Sequence, residues 1–344
     1  MIALCAPFQM QLMPQTTGGK SGLTRLLEAE LSRFPARAGL YVKHLRSGEE
    51  AGVRADEPFN SASVIKLPVM VIAFQMADQK KLNLDERVEI GKSDYRGGTG
   101  IFKYHDLGQT PTLRDVITEM IITSDNTATD MMIAKVGGVA RVNQWLGDNG
   151  YKGLKLNSTA NELFRKRYEL LDPKYRNLTP EDVFALGGGP PAFTESRRKL
   201  IDEVAAASRN RDLSAEFFQK METDHSFWLG DTSPRDTVRL LETIETGTAA
   251  SKPACAEMVR ILRRQQSGAR RLPHFLNVPV GHKTGDYPPA VANDVGIVYA
   301  HSGPIVVAVF TRNNTGPYAE TEDRIGMVAR TIVDYFDGPS EPIQ

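Results

Sequence analysis

Three short polar clusters spread over most of the chain constrain its fold more than any other feature. They are Ser63-Val64-Ile65-Lys66, Ser124-Asp125-Asn126 and Lys283-Thr284-Gly285. Together they supply a nucleophilic hydroxyl, a lysine one helical turn away, a second hydroxyl with a side-chain amide, and a cationic strand edge. That is the equipment for attack on a carbonyl by serine without histidine. The groups act together only if residues 63, 66, 124 and 283 converge on one carbon atom. The fold must therefore bring distant parts of the chain together.

Ser63 and Lys66 are three residues apart, so on a helix they share a face. A lysine can take a serine proton only if its pKa falls, through burial or nearby positive charge. Lys283 is the second charge available, and a helix start at Ser63 favours developing negative charge. On the Lys283 strand, alternation places Lys283 and Gly285 on one side and His282 and Thr284 on the other. A small Gly285 lets a substrate approach the strand edge and pair with it.

Each cluster also has an ordinary reading. Serine followed three residues later by lysine is expected about once by chance in a chain of average composition. Ser, Asp and Asn are common turn residues, and an edge-strand lysine discourages aggregation. Their order and the elements beneath them carry the argument.

Leu23 to Phe34 has helical apolar spacing. Residues 39–45 and 51–55 read as a hairpin around Ser47-Gly48-Glu49-Glu50. From Ser63 to about Ala77 runs an apolar helix, in which Pro68 is tolerable only near the start. Thr112-Leu113-Arg114-Asp115 caps a helix to Ile122. Another spans Thr127 to Lys135 and is stopped by Gly137-Gly138. Helix starts follow at Thr179, Thr194 and Ser214, with a break at Gly187 to Pro191. Ser233-Pro234 opens a helix ended by Gly247. Strands are expected at 278–284, 294–300 and 304–311, then a last helix from about Glu320 to Phe336.

In this order, and on these elements, the clusters resemble the superfamily of class A β-lactamases and penicillin-binding proteins. The resemblance covers about 23–156 and 231–335. It implies a two-lobed α/β plus all-α fold, an antiparallel sheet flanked by helices with an inserted helical lobe. The α/β lobe comprises 21–60 and 230–344, the helical lobe 61–229, with an enlarged omega-loop region at about 157–230. It further implies that Ser63 attacks the lactam carbonyl with Lys66 assisting. Ser124 relays a proton to the leaving nitrogen, and Asn126 contacts the substrate amide and the lysine. Lys283 and Thr284 hold a substrate carboxylate, and the backbone N–H groups of Ser63 and Asp286 form the oxyanion hole. Asp286 is an unusual side chain there and would repel an anionic substrate.

Family members that turn over their acyl-enzyme use an omega-loop glutamate to activate water. Gapless continuation from Leu156-Asn157 puts Ala160 at that position. Glu162, two residues on, is the favoured substitute. Glu169, in Arg167-Tyr168-Glu169, is the other candidate, and both also read as ordinary solvated helix acids. The segment from here to Ser233 is longer than in typical members, and a helical insertion near the cleft would shape or gate access.

Lys plus Arg and Asp plus Glu number 42 each, giving no basis for nucleic-acid or anionic-membrane binding. No apolar run is long enough to span a membrane. The six histidines are dispersed, and neither they nor Cys5 and Cys255 have metal-ligand spacing, so no cofactor or metal is expected. His282 should point away from the site, and Trp145 and Trp228 read as packing residues. Residues 1–15 read equally as the tail of a secretion signal or as a disordered leader, with a periplasmic or secreted location following from the first. The leading expectation is a β-lactamase-like serine hydrolase acting as a monomer on a β-lactam or peptide-like small molecule. A penicillin-binding peptidase or esterase on the same fold, or a non-enzymatic binding protein, are the alternatives.

Overall fold

The computed structural model describes residues 21–189 and 194–339. The expectations for the leader and Cys5, and for Pro190-Pro191, lie outside the described residues. Leucines at helical spacing bury one face of α1 (Gly22–Leu31), and the Ser21 hydroxyl caps it by accepting the Thr24 N–H at 3.1 Å. The expected hairpin follows as β1 (Arg37–His44) and β2 (Glu50–Val53). A short strand, β3 (Phe59–Asn60), then leads into a 3-10 turn, Ala62–Ile65, which carries Ser63. The α-helix proper, α2 (Lys66–Asp78), starts at the lysine. Pro68 is its third residue, where a missing N–H costs no helical bond. Leu67, Val69, Met70, Val71 and Ile72 are all buried. A helix apolar on every side is a core element, so Lys66 emerges from a rigid support.

Thr112 and Asp115 form the expected capping box of α3 (Leu113–Ile122). Asp125 caps α4 (Asn126–Lys135). Gly137, at φ 103°, ends that helix, and Gly138 begins α5 (Gly138–Asp148). The glycine pair was expected only as a stop; it is a junction. After β4 (Lys155–Leu156) come α6 (Ala160–Glu169), α7 (Pro180–Leu186), α8 (Glu195–Ala207) and α9 (Leu213–Thr223). The cap of α9 is Asp212 rather than the expected Ser214. Its carboxylate accepts the N–H groups of Ser214 and Ala215 at 3.0 Å each, and a carboxylate is the stronger acceptor.

Beyond β5 (Gly230–Thr232), α10 (Pro234–Glu245) opens with Ser233 as cap and proline at its first position. The sequence reading did not place α11 (Lys252–Leu262). Then come β6 (Val280–Tyr287), β7 (Val291–Ala300), β8 (Gly303–Arg312) and α12 (Tyr318–Asp337).

The strands form an antiparallel sheet in the order β2-β1-β8-β7-β6. Strand β8 shows why it is buried on both faces. Ile305, Val307 and Val309 join α1 and α12 in one apolar cluster, while Val306, Ala308 and Phe310 join α2, α3 and α10 in another. A second, small sheet, β3-β5-β4, ties together the points where the chain enters and leaves its helical middle. Two-residue strands carry no periodicity, and this sheet was not expected. The last of its strands to form in sequence, β5, sits directly beside the Ser63 turn.

Candidate active site

Ser63 sits on a turn fixed by its neighbours. Ala62, just before it, adopts φ 43°, a conformation that costs a non-glycine residue roughly 1–2 kcal/mol. The Ala62 N–H is held by Asn60 Oδ1 at 2.9 Å, and the Ser61 hydroxyl donates to the Gly230 carbonyl at 2.8 Å. The Asn293 amide donates to the Asn60 carbonyl at 2.8 Å from β7. Gly285 closes the fourth side. A Cβ there would come within 2.6 Å of the Ser61 carbonyl and 3.2 Å of Ala62 Cβ. Gly285 is therefore small because the nucleophile's turn packs on it, not to admit substrate as expected.

Lys66 is fully buried. Its Nζ bonds the Ser124 carbonyl at 2.7 Å, the Ser124 hydroxyl at 3.1 Å and Asn126 Oδ1 at 2.9 Å. Burial first, and the Lys283 charge second, pull its pKa well below the ordinary lysine value, against Asp125, Asp130 and Asp286. Lys283, also buried, reaches the same Ser124 hydroxyl from β6 at 3.0 Å and the Thr284 carbonyl at 2.8 Å. Burial pushes Lys283 down to about 7 although Asp286 and Asp294 favour its charge.

Ser124 is itself at φ 57°. Asp125 shows how that conformation is held. One carboxylate oxygen caps α4 through the Ala128 N–H at 2.9 Å. The other accepts the N–H groups of Ile101 at 2.7 Å and Phe102 at 2.9 Å. Asp125 thereby clamps the Gly97-Gly98-Thr99-Gly100 loop against the Ser124 turn. Gly100, at φ 112°, leaves no room for a Cβ, which would fall 2.3 Å from the Asp125 carboxyl carbon. Thr99 donates to the Ser124 carbonyl at 2.6 Å.

Ser63, Ser124 and Asn126 line one cleft of about 480 Å³. Gly98, Thr99, Thr123, Ala160, Leu163, Phe164, Leu229, Ser267, Asp286, Tyr287 and Pro288 complete its wall. The structure thus brings Ser63, Lys66, Ser124, Asn126 and Lys283 to one centre. Thr284 does not reach it. Its hydroxyl is buried one hydrogen bond behind the cleft wall, against Ser267 at 2.7 Å and Gln265 at 3.2 Å, so Ser267 holds the lining position expected of Thr284. His282 points away as expected, into a buried contact with Asp294 at 2.9 Å.

Glu162 does not reach the centre either. Its carboxylate closes the α6 capping box, accepting the Thr159 N–H at 2.8 Å and hydroxyl at 3.1 Å. Ala160, with Leu163 and Phe164, faces the cleft from α6. The Asp130 carboxylate holds it there by accepting the Ala160 N–H at 2.7 Å and the Asn161 N–H at 3.0 Å. Glu169 lies at the opposite end of α6, beside Arg165. Among the described residues, Asp286 is the carboxylate that lines the cleft. It is met from below by Arg271 and by the Tyr318 hydroxyl at 2.6 Å.

Sequence reading missed Arg271, Ser267 and the glycine loop. The loop alone had a signal, three glycines in four residues, but nothing local connects it to Asp125.

The sequence profile of the Beta-lactamase enzyme family matches residues 22–336. The chain belongs to that family. It is 30% identical over 317 residues to β-lactamase CARB-3 of Pseudomonas aeruginosa, covering 92% of this chain and 90% of the relative. Among solved structures it resembles an ancestral class A β-lactamase (TM-score 0.68, 23% identity, 91% of this chain and 100% of the other). It also resembles PBP-A (TM-score 0.67, 25% identity, 92% and 96%). A mutant of PBP-A has been solved as an acyl-enzyme complex with penicillin G. The shared architecture is the class A β-lactamase and transpeptidase fold, and the chain is a β-lactamase-like serine hydrolase.

Proposed function

We propose that this β-lactamase-family hydrolase is acylated at Ser63 by β-lactams and releases the product slowly. The observation that carries this reading is the pairing of a complete acylating centre with Ala160 in the cleft. Lys66, whose pKa burial pulls well below the ordinary lysine value, takes the Ser63 proton as the hydroxyl attacks the lactam carbonyl. The Ser124 hydroxyl touches both lysines and passes a proton to the departing ring nitrogen, so atoms balance: the C–N bond breaks, an ester forms on Ser63, and nitrogen gains the proton. The backbone N–H groups of Ser63 and Asp286 receive the carbonyl oxygen's charge. Lys283 keeps a positive potential over Ser124, and the Asn126 side chain orients the substrate amide.

Hydrolysis of the ester needs a base for water. Glu162 is committed to its capping box, and Glu169 lies at the other end of α6 beside Arg165. The absence of a carboxylate at Ala160 favours the penicillin-binding reading of the same fold, with a peptide-like substrate or an ester as alternatives to the lactam. Cell-wall peptides or antibiotics as substrates would place the enzyme in the periplasm or outside the cell, and would make antibiotic resistance its physiological consequence only where turnover is fast.

A mass-spectrometric time course with benzylpenicillin tests the reading. An adduct that forms quickly and persists through many minutes supports it. Rapid loss of the adduct with accumulation of ring-opened product would show that an efficient deacylating base operates and that the slow-release reading is wrong.

A further inference from the structure

The carboxylate seat beside Ser63 already holds a carboxylate, that of Asp286. Its side chain is about a quarter exposed (26%) and lines the same cleft as Ser63 and Ser124. Every group that would otherwise bind an anion there is satisfied from within. Arg271 is buried at 3% exposure, with one arm on Asp286, one on the Asn293 carbonyl at 2.8 Å and its Nε on Glu322 at 3.1 Å. The Tyr318 hydroxyl donates to Asp286. Lys283 spends its bonds on Ser124 and the Thr284 carbonyl, and the Thr284 hydroxyl is buried against Ser267.

We infer that Asp286 is a specificity-determining residue: the site acylates faster with substrates whose group on the carbon bearing the leaving nitrogen is neutral than with those that carry an acid there. Three observations support it. An incoming acid would find Arg271 already neutralised by Asp286 and Glu322. It would be brought beside the exposed Asp286 oxygen, and like charges juxtaposed in a partly desolvated site are strongly unfavourable. Lys283, pushed down to about 7, keeps only part of its charge at neutral pH to compensate. A neutral ester, amide or hydroxyl at the same place can accept from Ser267 and meets no opposing charge.

The inference rests on acyl transfer at Ser63, and the experiment separates the two. Acylation rates of the wild-type protein are measured with benzylpenicillin and with its methyl ester, each normalised to its own rate with hydroxide. The ester is expected to acylate faster by about tenfold or more, the size of one like-charge contact, and Asp286→Asn is expected to shift the ratio toward the acid. Equal rates, or a faster acid, in the wild-type protein would overturn the inference without any variant. A ratio unmoved in a folded Asp286→Asn protein would overturn it as well. If neither compound acylates Ser63, the acyl-transfer reading fails on its own. Calorimetric affinities of Ser63→Ala for the two compounds then decide the seat: tighter ester binding upholds it, and equal or tighter acid binding ends it.

Discussion

The Lys283 ammonium and the Ser124 hydroxyl are 159 residues apart in sequence and 3.0 Å apart in space. Because Lys66 reaches the same hydroxyl at 3.1 Å, two buried amines share one acceptor. Two charges directed at one hydroxyl in a buried site oppose each other, and the Lys283 charge adds to burial in drawing the Lys66 pKa down. This is how the fold makes a base from lysine.

That pairing has a pH signature in stability. Lys283 has a folded value near 7 against an ordinary 10.5. Between those limits the unfolded chain binds more protons than the native one, so unfolding free energy rises with pH. The melting temperature should therefore climb from pH 7 to pH 9, and Lys283→Met should flatten the climb. A wild-type melting temperature that falls over that interval would contradict the assignment.

The same depression acts on catalysis. Lys66 works only as the free amine, so the acylation rate should fall as pH drops and Lys66 gains its proton. Lys66→Ala should lower the rate by roughly 10²–10⁴-fold where the amine is free, the usual worth of a positioned base, and by less as pH drops. Stopped-flow acylation across pH 5–9 (a span of about four units around the ordinary histidine range) measures both.

Gly285 supports the nucleophile's turn. With the Ser61 carbonyl 2.6 Å from where a Cβ would stand, Gly285→Ala must displace backbone rather than a flexible side chain. We expect a stability loss of about 1–3 kcal/mol, as for other overpacked sites, together with slower acylation. Urea unfolding and the adduct time course report the two effects separately.

On α6, two substitutions have opposite outcomes. Glu162→Ala removes half of the Thr159 capping box and should cost about 1 kcal/mol of stability while leaving the acyl-enzyme lifetime unchanged. Ala160→Glu puts a carboxylate where the cleft has none and should shorten that lifetime by about 10²-fold if it positions water as a base. Adduct lifetimes for the two variants are the check. A long-lived adduct in Glu162→Ala alone would return Glu162 to the mechanism.

How far the sequence could be read follows from where each signal lies. The capping box at Thr112, the Ser233 cap followed by Pro234 and the alternating strands were legible because their physics is local. The convergence of Ser63, Lys66, Ser124 and Lys283 was legible because the motifs carry chemistry in a fixed order. What failed depended on side-chain direction across long separations. Thr284 shares a strand with Lys283 but faces Ser267. Glu162 has the right residue type near the right place, yet a capping box claims it, and the Thr159-x-x-Glu162 spacing that announces the cap was present in the sequence. Arg271 sits in a loop with no periodicity, and only the fold shows it under Asp286. The small sheet β3-β5-β4 consists of pieces too short to register as strands.

The central claim is that Ser63 is the atom attacked through, with every other group arranged about it. Peptide mapping of the protein after brief exposure to benzylpenicillin tests that directly. The account predicts a single modified peptide whose adduct maps to Ser63, and none in Ser63→Ala. A penicilloyl group on any other residue, or an unmodified protein that still consumes the drug, would contradict it.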